Sequence, residues 1–199
     1  YFFIFLFFFN GCSQYAKLEE IGRQHYLEGR PLEAFKFTIQ SLTLEPTYDR
    51  AQELLARVYS KMIKDLEKDI EEKKNFQEKF RWDTICKRYN LLISINEKVQ
   101  ELAPEANKNV IHLIKDYSNE YKEAKINAAE GHYIEGDRLS QLEGLNNQKM
   151  AAKEFQTALQ YNPGYKDASE KYEKFKKLGT KRIAIFPFIN KSGKSQYGS

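Results

Sequence analysis

Cysteine is nearly absent from this chain: Cys12 and Cys86 are the only two in 199 residues. Two cysteines make no disulfide framework, and they lack the close spacing of a zinc site. Unrelated roles are expected for them, with a single Cys12–Cys86 disulfide as the alternative and Cys86 as a small apolar residue on a helix. Histidine is as scarce, at His25, His112 and His132. The five prolines and ten glycines stand singly, so neither G-x-x-x-x-G-K-[ST] nor G-x-G-x-x-G occurs and no phosphate-cradling loop is present. Charge of one sign is also missing. The 32 basic and 28 acidic residues leave a net +4, too little to argue for a nucleic-acid partner. No catalytic constellation is present, and the chain is read as a non-enzyme without cofactor or bound metal.

What is abundant is Lys, Glu, Leu and Ala between sparse Pro and Gly, with 41% hydrophobic residues. That composition favours long helices and an all-α class. A short block occurs twice, His25-Tyr26-Leu27-Glu28-Gly29 and His132-Tyr133-Ile134-Glu135-Gly136. After it come Ala34, Leu42, Pro46, Tyr48 and Ala51 in one copy, and Ala151, Leu159, Pro163, Tyr165 and Ala168 in the other. The spacings from alanine to alanine are identical, so one supersecondary unit is written twice.

Taken in order, a helix from about Gln14 ends at Gly29, where a left-handed residue fits. A second starts at Pro31 and carries Leu32, Phe35, Ile39 and Leu42 as its apolar stripe. A long helix follows with Leu55, Tyr59, Met62, Leu66 and Ile70, then one with Trp82, Ile85, Tyr89, Leu92, Ile95, Val99 and Leu102. These make residues 51–103 a further hairpin, in which Trp82 and Tyr89 read as core, with a ligand-stacking pair as the alternative. From Pro104 a helix is expected to run to near Gly136. Gly29 to Ala34 is five positions and Gly136 to Ala151 fifteen, so ten inserted residues within 137–150 are expected to lengthen a turn. The last helix, from Tyr165 to about Leu178, is expected to hold Tyr172 and Phe175 inward and Lys171, Lys174, Lys176 and Lys177 outward. Lys181 and Arg182 extend this basic end, which reads as a solvated face, with anionic lipid or an acidic partner as the alternative.

Ile21, Gly22, Gly29, Ala34, Leu42 and Pro46 stand at the offsets of a tetratricopeptide repeat, and Ala151, Phe155, Ala158, Leu159 and Pro163 match its second helix more fully. The chain therefore resembles tetratricopeptide-repeat proteins, with Thr38 and Ser41 standing where that family has an aromatic and an alanine. The resemblance implies antiparallel hairpins stacked as a solenoid over 17–178, with repeats at about 17–50, 51–103 (divergent) and 120–168 (with the insertion). It also implies a protein or peptide partner in a groove along the first helix of each hairpin. Gln24, His25, Glu28, Glu130, His132 and Glu135 are the candidate contacts.

Residues 1–9, YFFIFLFFF, are an unbroken apolar run about half as long as the ~20 residues that cross a bilayer as a helix. The run fits the tail of a secretory signal, with an uncleaved anchor or a buried strand as alternatives. Phe9-Asn10-Gly11-Cys12-Ser13 resembles the lipobox of bacterial lipoproteins. This implies a signal remnant over 1–11, a lipidated tether over 12–16 with the lipid on Cys12, and a helical domain in the periplasm, anchored to the outer membrane. After Gly179 the period changes. Ile183-Ala184-Ile185-Phe186-Pro187-Phe188-Ile189-Asn190-Lys191-Ser192-Gly193 reads as a C-terminal strand and resembles the opening of TolB-like and curli-secretion-like α/β domains, which implies the start of an incomplete domain over 179–199. Truncation at both ends is expected.

The function expected from these features is an envelope-anchored scaffold for protein–protein interaction. The alternatives are an N-terminal adapter of a secretion-channel or cell-wall-synthase-activator lipoprotein whose active domain lies elsewhere, and a metal-dependent hydrolase using His25, His132 and Glu28 or Glu135.

Overall fold

The computed structural model describes residues 13–181. Cys12 and the expected strand at 183–189 lie outside the described residues. Within them the chain is all-α, with eight α-helices, one short 3-10 turn and no strand. The chain divides into two compact units between Gly131 and His132.

The first unit begins with α1 (Gln14–Leu27) and α2 (Pro31–Leu44). Gly29 takes φ +75° in the turn between them, and Pro31 occupies the first turn of α2, where its missing N–H leaves no bond unmade. The two helices are drawn together at Gly22. A Cβ there would meet Thr38 Oγ1 at 3.1 Å and the Ala34 carbonyl at 3.2 Å. Thr38 and Ser41 are fully buried yet satisfied: Thr38 Oγ1 donates to the Ala34 carbonyl at 2.7 Å, and Ser41 Oγ crosses to the Tyr15 carbonyl of α1 at 2.8 Å. A hydroxyl that reaches the facing backbone replaces apolar bulk.

Next come α3 (Asp49–Asn75) and α4 (Arg81–Gln100), which pack as a hairpin. The apolar stripe of α3 buries Leu55, Val58, Tyr59, Met62 and Ile70, while pairs such as Lys61–Asp65 occupy its outer face. On α4, Ile85, Tyr89, Leu92, Ile95 and Val99 are buried, so Tyr89 is a core residue and Trp82 is half-buried. Cys86 is a buried free thiol that burial pushes up to about 11.

The stretch from Pro104 departs from the expected continuous helix. It forms α5 (Pro104–Asn107), a 3-10 turn (Ile111–Leu113) and an irregular link before α6 (Ser118–Ser140). Side-chain amides bond to backbone carbonyls within it and at the end of α4 before it. Asn107 Nδ2 donates to the Val99 carbonyl at 3.0 Å, Gln52 Nε2 to the Glu105 carbonyl at 3.0 Å, and Asn96 Nδ2 to the Lys115 carbonyl at 2.8 Å. Tyr59 Oη donates to Asn96 Oδ1 at 2.8 Å. Asp116 Oδ1 accepts from the Ser118 N–H at 2.9 Å, which starts α6.

The second unit takes α6 from His132 onward, then α7 (Leu145–Tyr161) and α8 (Ala168–Leu178). Leu139, Ala151, Ala152, Phe155, Ala168 and Phe175 form its core, flanked by Tyr133, Leu159 and Tyr172. Gly136 makes room for Phe155, since a Cβ there would lie 2.8 Å from the ring. The expected long turn is absent. Measured against the first copy of the repeat, six of the ten inserted residues extend α6, three begin α7 early, and one lengthens the turn. Helix continues because residues 137–140 and 145–150 contain no proline and Leu139 is buried in the core.

Candidate functional site

The helices α1 and α3 are the first members of successive hairpins. On α1, Arg23, Tyr26 and Leu27 share one face; on α3, Arg50, Glu53, Leu54 and Arg57 do so by the i, i+3, i+4, i+7 rule. Together they line a cavity of about 260 Å³. Its electrostatics are organised by Glu19, whose side chain is fully buried. Arg23 Nε donates to Glu19 Oε1 at 2.9 Å, and Arg50 Nη2 lies 3.3 Å from Glu19 Oε2 and 3.4 Å from Glu20. The hydrogen bond to Glu19 holds the Arg23 guanidinium above its ordinary value. Arg57 forms an exposed pair with Glu53 at 4.0 Å, a contact of little energetic consequence. A guanidinium carries five N–H donors, and these contacts engage Arg50 and Arg57 through Nη2 alone. The arrangement fixes positive groups beside an apolar wall of Tyr26, Leu27 and Leu54. Such positive groups suit carbonyl and carboxylate oxygens.

Gln24 and His25 on α1 and Glu28 at its C-terminal cap do not line this cavity. Gln24 Nε2 donates to Glu28 Oε1 at 2.9 Å, and Arg30 followed by Gln24 holds the exposed Glu28 carboxyl below its ordinary range. His25 turns toward α2 and lies flat on Phe37, with ring centres 5.2 Å apart and planes at 14°. Glu130 is half-buried in the first unit. In the second unit His132 is buried, with Nδ1 2.6 Å from Glu154 Oε2 and its ring over Tyr161 at 5.8 Å. Glu135, nearly buried, receives Arg138 at 2.7 and 2.9 Å. Among the described residues, no three His, Cys, Asp or Glu side chains gather as metal ligands.

Sequence reasoning passed over Arg23, Tyr26, Arg50 and Arg57. The available signal was that Arg50 and Arg57 sit seven residues apart on α3, one face of a helix beginning beside the repeat's own Tyr48.

The second copy of the repeat treats the same positions differently. Tyr133 matches Tyr26; Asp167 precedes Ala168 as Arg50 precedes Ala51; Lys171 follows Ala168 by three, as Leu54 follows Ala51. Here Tyr133 Oη donates to Asp167 Oδ1 at 2.6 Å, and Lys171 Nζ donates to Tyr133 Oη at 2.5 Å and to Asp137 Oδ1 at 2.7 Å. The ammonium also sits 4.4 Å from the Tyr133 ring centre. Lys171 therefore points inward, against the outward position expected of it, because two carboxylates and an aromatic face offset its desolvation. Burial alone would lower its pKa, but hydrogen bonds to Asp137 and Tyr133 raise it above the ordinary lysine value. Residues that frame an open cavity in the first copy are bonded to one another in the second.

No helix among the described residues is long and apolar enough to cross a membrane. No protein-family model matches the chain, and neither does any curated protein sequence.

Proposed function

We propose that this chain is a tetratricopeptide-like scaffold that binds a peptide segment of another protein in the groove between α1 and α3. The cavity of about 260 Å³ framed by Arg23, Arg50 and Arg57 carries this reading, because buried Glu19 holds two of those arginines before any partner arrives. The repeated spacing and the close helix approach at Gly22 support a stack of hairpins, whose first helices line a continuous groove. Shape and a few charge-assisted bonds would supply affinity, with no bond-making step. The Phe9–Ser13 motif supports a lipid on Cys12 and presentation of the scaffold to the periplasm.

The test is site-specific photo-crosslinking in the native host from Leu27, which is 78% exposed and lines the cavity. A discrete crosslinked protein that disappears with Arg50→Glu or Arg57→Glu, and is not captured from Phe76, is the expected result. Capture unaffected by either substitution overturns the groove as the binding site. Mass spectrometry finding an unmodified Cys12 in the mature protein overturns the anchor.

A further inference from the structure

A second groove runs between the second helices of the same two hairpins. Leu32, Phe35 and Ile39 of α2 face Leu91 and Ile95 of α4 across a hollow of about 320 Å³. Phe35 and Ile95 form its floor, being 6% and 2% exposed, whereas Leu32 is 50% exposed. An isolated exposed leucine is ordinary, but five apolar residues from two helices form a contiguous concave surface. The polar residues along it are Gln40, Ser94, Lys36 and Lys98, and no carboxylate among the described residues lines it. Lys98 reaches Glu101 at 2.6 Å, an exposed pair three residues apart that a partner's carboxylate could replace at little cost. One lysine stands on each helix, so each flank of the apolar floor carries an ammonium, that of α4 paired with Glu101.

We propose that this groove docks an amphipathic helix of a partner protein, with aliphatic anchors on one face and acidic residues on both flanks of that face. The dimensions fit: positions 32 to 40 of α2 cover about 12 Å at the helical rise, or roughly two turns, enough for anchors at i, i+3, i+4 and i+7. The charges set the preference, since carboxylates beside Lys36 and Lys98 are favoured and cations there are repelled. This site shares no residue with the cavity between α1 and α3, so the two readings stand or fall separately.

Two fluorescent peptides test it, one with leucine at i, i+3, i+4 and i+7 flanked by glutamate, the other with lysine replacing every glutamate. Anisotropy titration of the full chain is expected to show the acidic peptide binding at least about tenfold more tightly than the basic one. Lys36→Glu with Lys98→Glu should reverse that order, and Leu32→Glu should abolish binding of both. Leu32, Lys36 and Lys98 are exposed, so these variants keep their helical circular dichroism and melting temperature. Equal binding of the two peptides, no binding of either, or binding indifferent to Leu32→Glu overturns the proposal. Self-association of the chain that Leu32→Glu dissolves gives the face to a second copy, and Leu32-dependent adsorption to zwitterionic vesicles gives it to lipid. Either result overturns it too.

Discussion

His132 and Glu154 meet at 2.6 Å between Nδ1 and Oε2, and the same two positions of the first copy hold His25 and Phe37, stacked at 5.2 Å. Phe37 follows Ala34 by three residues, as Glu154 follows Ala151. Both histidines of the repeated block therefore stack on a ring of the facing helix, and His132 adds a polar contact with Glu154 where His25 meets Phe37. Glu154→Ala is expected to cost about 1–3 kcal/mol, the usual penalty for a buried polar group that loses its partner. Glu154→Phe, which copies the first repeat, should cost less. Urea unfolding of both variants checks the order, and equal losses would show that the contact is incidental.

Gly136 and Gly131 lie on the same helix with opposite surroundings. A Cβ on Gly136 would press on the Phe155 ring at 2.8–3.0 Å, whereas one on Gly131 finds Phe80 at a comfortable 3.9 Å. Gly136→Ala is expected to destabilise by about 1–3 kcal/mol through overpacking. Gly131→Ala should stabilise by up to about 1 kcal/mol from helix propensity. Thermal melts of the two variants should shift in opposite directions.

The amide of Asn96 ties Tyr59 of α3 to the irregular link at Lys115. Asn96→Leu leaves the Tyr59 hydroxyl and the Lys115 carbonyl to find new partners, for about 1–3 kcal/mol. Amide hydrogen exchange should accelerate around residues 114–117, which lack regular helix, more than in the middle of α4. Uniform acceleration along both would refute a local clamp.

The cluster of Lys171, Tyr133 and Asp167 carries a pH signature. Hydrogen bonding from Tyr133, then the charge of Lys171, keeps Asp167 below its ordinary value. Its contribution is therefore present above the unfolded carboxyl value of about 3.9 and lost as pH falls through the lower folded value. Lys171 is raised, so its contribution is full below about 10.4 and lost as pH rises through the higher folded value. Lys171→Leu, which copies Leu54 of the first repeat, should flatten the alkaline limb of stability and reduce the acid one. Melting temperature across pH, compared with the native chain, reads both limbs.

Cys86 should be inert in the folded chain. Burial pushes its thiol up to about 11, so little thiolate exists near pH 8 and solvent does not reach it. Peptide mapping after iodoacetamide is expected to find Cys86 alkylated only when denaturant is present. Rapid labelling of the native protein would place it at the surface.

The sequence by itself determined the helical class, the two hairpins of the first unit and most of the core. Apolar residues at helical spacing have one way to leave water together, and Leu55, Tyr59, Ile85, Leu92 and Val99 are buried as their period requires. Gly29, Pro31 and Pro46 marked helix ends because their backbone chemistry acts locally. Tertiary structure alone decided three other things. Residues 104–117 left the helix where Asn96 and Gln52 offered their carbonyls partners from other segments and Asn107 turned its own side chain back to the Val99 carbonyl of α4. Nine of the ten inserted residues became helix rather than loop, with Leu139 joining the core. The cavity between α1 and α3 is lined by Arg23, Arg50 and Arg57 and not by the repeated His25 and Glu28, since which side of a helix stays open depends on what packs against the other side. A repeated block announces a shared backbone, but contacts from outside the block decide whether its side chains meet an aromatic ring, a carboxylate or an open cavity.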